Sequence, residues 1–266
     1  GIELFSSLEG LPPMKLRRKL SIDYHCLNPA LKQYFFVKNS FDVRGILIED
    51  FWGEYAEFEN KLVDSYLKPK IRLMRLFKEG NIGMPLTYCF FKETLVPTIG
   101  ESTHIYQSPG PRYTLNTEEI DQLQAFLKKY DLPFKHGYIQ LAFENFETSY
   151  EVRSINIAFL SLMNGLEALF NPGEHELRYR LSRNCAVLLG TDRKNSNDIY
   201  EDIKQLYDLR SAIVHAYKKV TVKQEDLYRL RDYVRRSIKT LLKVDKPKNE
   251  ALKVLDSIGF GQFQQV

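Results

Sequence analysis

The chain has 266 residues, 44% apolar and 27% charged, enough for one large domain or two modest ones built around well-filled cores. Its three cysteines, Cys26, Cys89 and Cys185, lie far apart and show no ligand spacing, which argues against a zinc site or disulfide framework and suits buried free thiols in a reducing compartment. The net charge of +4 is uneven: residues 1–150 carry 18 Lys/Arg against 19 Asp/Glu, residues 151–266 carry 20 against 15.

The N-terminal part reads as short strands between turns. "LSIDYHCL", "VRGILIEDF", "IRLMRLF" and "LTYCFF" are β-branched, aromatic or alternating, and "KEGNIGMP", "PTIGES" and "QSPGPR" supply turn chemistry. "YAEFENKLVDSYLK" has the pattern of an intervening helix. "TEEIDQLQAFLKKY", at about 117–130, is helical, with Thr117 as a cap, Glu118 and Glu119 in the first turn, and an apolar stripe through Ile120, Leu123, Leu127 and Tyr130.

Beyond Pro133 the spacing is helical throughout. One helix starts over Ile139–Phe146. A second carries Ile155, Phe159, Leu162, Met163, Leu166 and Leu169 and stops at "NPG". A third, through Leu177, Leu181, Cys185 and Leu188, ends at Gly190. The next begins at Asn197 or Asp198 and runs through Ile199, Ile203, Leu206, Arg210 and Ile213. Thr221 with Gln224 has the form of a capping box ahead of a stripe of Leu227, Leu230, Val234, Ile238 and Leu241. The expectation is an α+β chain: a mixed, mainly β N-terminal domain over 1–133, an all-α helical bundle over 134–245, and a short helix and tail over 246–266. No apolar run is long enough to span a bilayer, and "SINIAFLSLMNGL" is followed by Glu167, so a cytoplasmic protein without membrane contact is expected.

Chemistry concentrates in "YDLRSAIVHAY", residues 207–217. Phosphate-loop, nucleophile-elbow and metal-ligand patterns are missing; "SYLK" at Ser65–Lys68 has the S-x-x-K spacing without its companion motifs. No cofactor or metal is called for. Arg210 and His215 stand five apart among apolar neighbours, about 140° apart on an ideal helix. Either the helix bends or ends between them, or the pair is completed across a dimer interface. Glu167 lies within an apolar stretch and needs a cation, which Arg180, Arg183 or Arg210 can supply. Arg229, Arg235, Arg236 and Lys239 lie opposite the Leu227–Leu241 stripe and form a basic face expected to stay in solvent and attract RNA.

Three segments in order, "MNGLEALF", "ELRYRLSRNCAVLLG" and "YDLRSAIVHA", resemble the HEPN superfamily and within it the ApeA-like group. The resemblance implies a helical bundle over about the last half of the chain. It also implies a metal-independent endoribonuclease site built from Arg210 and His215, usually assembled by two facing protomers, so RNA and a second copy are the expected partners. Phage defence or toxin-type growth arrest is the implied setting. Histidine as a residue type titrates near neutral pH and suits proton transfer to or from a 2′-OH. Arginine is always charged and fits phosphate oxygens. Supporting roles fall to Ser211, Glu167 and Tyr207. Ser211 departs from the Asn, Asp or His that many members carry after the arginine. Tyr217 completes R-x-x-x-x-H-x-Y, which resembles toxins silenced by a nucleotidyltransferase-type antitoxin that adenylylates the tyrosine. A non-catalytic HEPN module for ligand binding and dimerisation is the alternative.

Overall fold

The computed structural model of the protein describes residues 2–5, 36–39, 65, 68–82, 86–89, 98–101, 111, 113–171, 173, 176–215 and 221–263. The chain divides into two compact units. One comprises Gly1–Ser65 with Pro85–Thr103, the other Tyr66–Met84 with His104–Val266. The first contains two antiparallel ladders: β1 (Ile2–Phe5) on β2 (Phe36–Asn39), with Ile2 opposite Asn39, and β3 (Leu86–Cys89) on β4 (Thr98–Glu101), with Leu86 opposite Glu101.

The second unit is helical. Its described residues form α1 (Lys68–Phe77), α2 (Thr117–Lys129), α3 (Gly137–Glu151), α4 (Ile155–Phe170), α5 (Leu177–Leu189), α6 (Arg193–His215), α7 (Gln224–Val244) and α8 (Lys248–Ser257). Three-residue links make α3 with α4, and α5 with α6, neighbouring pairs. Helix α7 packs across α3, α4 and α5, and α8 leans on α5. The periodic apolar stripes meet in one core, in which Phe143, Phe146, Phe159, Leu162, Leu181, Ile203, Leu230 and Ile238 are fully buried. Cys185 lies in it as a free thiol pushed up to about 12 by burial. Gly190 closes α5 because the turn into α6 leaves no room for a side chain: a Cβ there would lie 1.9 Å from Ser196 Oγ.

The expected mainly β N-terminal domain is corrected by these elements. The described strands are four of four residues each, and the long described stretches from residue 65 to 263 are helices. "IRLMRLF", expected as a strand, is the body of α1. The reason is the spacing of its charges. Arg72 and Arg75 are three apart, on one face of a helix but on opposite faces of a strand. Both reach Glu147 of α3, at 3.6 and 2.8 Å, while Leu73 and Leu76 are fully buried. "LSIDYHCL", "VRGILIEDF" and nearly all of "YAEFENKLVDSYLK" lie outside the described residues.

Helix starts shift by a few residues. Asn116, not Thr117, caps α2: its side chain accepts from the Glu119 N–H, and the Glu119 carboxylate accepts from the Asn116 N–H. Helix α6 begins at Arg193 rather than Asn197, because the Asp192 carboxylate accepts from the Asn195 N–H at 2.8 Å. In α7 the cap position is Lys223, whose N–H donates to the Asp226 carboxylate at 3.4 Å, in place of the expected Thr221–Gln224 box.

Candidate functional site

Helix α6 carries both central residues. It is unbroken from Arg193 to His215, 23 residues or about 34 Å, so of the alternatives an end between Arg210 and His215 does not apply. Its described residues run to the histidine. Around its axis the buried Ile199, Ile203 and Leu206 define the core side. Arg210 lies toward that side, against α4, and His215 about 140° away among exposed positions.

Arg210 meets Glu167 of α4. Their Nη2 and Oε1 atoms are 3.3 Å apart, with side chains 23% and 21% exposed. This selects Arg210 from the three cations considered for Glu167; Arg180 lies 4.0 Å from Glu176, and Arg183 donates to the Leu255 and Ile258 carbonyls. Burial holds the Glu167 carboxyl above the usual range, and the nearby guanidinium pulls it back only in part. The contact is an ion pair by distance without hydrogen-bond alignment, and Arg210 Nε and Glu167 Oε1 are buried atoms without a hydrogen-bond partner. The Arg210 guanidinium also stands 5.7 Å over the Tyr207 ring. Tyr207, Arg210 and Glu167 are therefore brought together. Ser211 is half-buried on α6, His215 is exposed at its end, and Tyr217 lies outside the described residues.

The four basic residues of α7 do not form the uniformly solvated face expected. Arg229 pairs with Asp202 at 2.5 Å and Asp226 at 2.6 Å. Arg235, 11% exposed, is held by Asp232. Arg236 reaches Asp232 and donates to the Leu189 carbonyl at 3.2 Å. Lys239 donates to the Phe77 carbonyl at 2.6 Å, and burial with its cationic neighbours Arg235 and Lys243 pushes its ammonium down to about 8. Helix α7 lies in the middle of the unit, with α1 against it and Asp202 of α6 reaching its side, so its polar face meets carboxylates and carbonyls of the protein's own chain.

Two features escaped sequence reasoning. Glu147, 3% exposed, sits between Arg72 and Arg75, and burial pushes it up to about 7 against both guanidiniums. Arg231, also buried, donates to the Ser149 hydroxyl and carbonyl and lies 4.0 Å over the Tyr150 ring. A charged residue inside the α7 apolar stripe was the available signal for the second. The first needed α1 to be recognised as a helix.

Among the described residues no group of three His, Cys, Asp or Glu is placed to hold a metal ion, and no helix is long and apolar enough to cross a membrane. No family model, no curated protein and no solved structure matches this chain.

Proposed function

We propose that the protein is a metal-independent endoribonuclease of the HEPN type, with Arg210 and His215 as its catalytic residues and two copies of the chain completing the site. The observation that supports it most is the state of Arg210. Its guanidinium is paired with Glu167, stands over the Tyr207 ring and remains partly exposed. A partly exposed guanidinium fits a phosphate that arrives with the substrate.

In this reading a histidine takes the proton of a ribose 2′-OH as its oxygen attacks the adjacent phosphorus. Arg210 holds the equatorial oxygens as negative charge builds, and the departing 5′-oxygen receives a proton from a second imidazole or from water. The products are a 2′,3′-cyclic phosphate and a 5′-hydroxyl. One unbroken helix places the two side chains on different faces, so a two-fold pair of bundles is the arrangement that sets the Arg210 of one copy beside the His215 of the other. The setting, phage defence or growth arrest, follows from the resemblance alone.

The test is cleavage of single-stranded RNA in excess chelator. His215→Ala and Arg210→Ala each lower the rate by about 10²-fold or more while circular dichroism stays unchanged. Undiminished cleavage by either folded variant overturns the assignment. A second reading, a non-catalytic HEPN module, draws on the same ion pair, since Glu167 already gives Arg210 a structural partner between α4 and α6. Absence of cleavage together with destabilisation by Arg210→Ala favours that reading.

A further inference from the structure

An open groove of about 410 Å³ lies between the N-terminal end of α5 and the middle of α6. Tyr179, Tyr200 and Tyr207 line it, with Arg178 and Lys204 as cations and Glu176 as the acid. The aromatic rings are braced rather than loose. Tyr179 meets Tyr200 edge-on at 6.3 Å, and Tyr200 is backed by Phe260 at 5.9 Å. Lys204 stands 5.5 Å over Tyr200, and Arg210 stands over Tyr207 just beyond the groove. Tyr179 nevertheless leaves 52% of its surface in water, one of the few large apolar side chains in the described residues to do so.

The groove also has a defined place relative to Arg210 and His215. At about 100° per residue, Ser211 and His215 each lie within about 20° of Lys204 around α6, Arg210 about 120° away, and Tyr200 and Tyr207 about 40° and 60° along the same arc. The two tyrosines thus occupy the sector between the histidine face and the arginine face. Lys204 and His215 are about 16 Å apart along the axis, the length of a few nucleotides.

We infer that this groove is a nucleobase-stacking subsite for single-stranded RNA, which holds unpaired bases against Tyr179 and Tyr200 and leads the strand along α6 toward Arg210 and His215. Braced, partly exposed rings supply the π-faces on which any base stacks. Arg178, paired with Asp208, and Lys204, paired with Glu201, are the cations beside them that can turn to the phosphates between bases. A protein ligand would be expected to fill a deeper apolar pocket, whereas here the walls are amphipathic. The inference rests on the ribonuclease reading for its choice of a ribose strand. It places base contact at a distance from the cut and gives no sequence preference beyond stacking.

The experiment measures binding of a fluorescent, 2′-O-methylated single-stranded RNA to the full chain by anisotropy, alongside cleavage of the unmodified strand. Tyr179→Ala weakens binding about fivefold or more, with an unchanged melting temperature because the ring is largely exposed; Tyr179→Trp restores it. Cleavage at saturating RNA is unchanged in Tyr179→Ala, and its KM rises. Unaltered binding by Tyr179→Ala, with Arg210→Ala still inactive, overturns the groove and leaves the ribonuclease reading standing. Tyrosine-dependent binding by a wild-type protein that does not cleave sustains the groove and removes the activity. A wild-type protein that binds no RNA overturns both.

Discussion

Two carboxylates, Glu147 buried and Glu167 half-buried, each face arginine in a different setting. Glu147 is enclosed by Arg72 and Arg75, with the latter at 2.8 Å, while Glu167 has Arg210 at 3.3 Å and keeps some access to water. In both, desolvation outweighs the neighbouring cations and raises the carboxyl. The folded protein holds the Glu147 proton to about pH 7, whereas an unfolded chain releases it near 4.5. The stabilisation from that proton is complete below about pH 4.5 and is lost as the pH climbs toward 7. Glu147→Gln cannot titrate, so its urea midpoint should stay level across that window while the wild-type midpoint falls. The difference should correspond to a change on the order of 1–3 kcal/mol. Parallel pH profiles for the two proteins would exclude Glu147 as the source.

Helix α1 makes the clearest case for how a short element is recognised. Its apolar residues fit a strand or a helix equally, and only the three-residue step between Arg72 and Arg75, both directed at one carboxylate, decides for the helix. The sequence cannot show that Glu147, seventy-two positions past Arg75, is the object of that step. The bundle was far more legible: the stripes through α3 to α7 were read at their true period because each buries one continuous face. Helix starts were less so, since Asp192 and Asn116 compete with several plausible caps nearby. At the site, Arg210 as a partner of Glu167 was among three candidates, but the groove of Tyr179, Tyr200 and Tyr207 joins two helices and leaves no local pattern.

The junction of α1 with α7 carries its own prediction. Lys239 caps the Phe77 carbonyl at the end of α1 while lying 5.2 Å over the Phe77 ring. Lys239→Met keeps the stem and removes the donor, which should cost about 1–3 kcal/mol by leaving the carbonyl unmet. Because burial lowers this ammonium to about 8, wild-type stability should rise between about pH 8 and 10.5 as the folded state sheds the proton first. The Met variant should lack that rise in thermal melts across the same range.

At the scale of the whole molecule, assembly is the property on which the proposed chemistry depends. Val214, beside His215, leaves 49% of its surface in water in the last described turn of α6. If two bundles meet there, sedimentation velocity should find a dimer at the concentrations where RNA is cut. Mixing Arg210→Ala with His215→Ala protein should then recover part of the activity, since one hybrid site retains both side chains. A monomer that remains fully active would contradict the two-copy site.

The order in which the chain visits its two units constrains how it can be divided. It leaves the strand-bearing unit at residue 65, lays α1 on the helices, returns at 85 and leaves again at 103. A gene fragment opening at residue 104 would encode every helix from α2 onward and would still lack Arg72 and Arg75. Glu147 would then face a vacated, partly apolar trough, and the Tyr150 ring would lose the guanidinium that stands 5.1 Å above it. Such a fragment should expose dye-binding surface and melt early, and a synthetic peptide spanning Tyr66–Met84 added in trans should raise its melting temperature in a dose-dependent way.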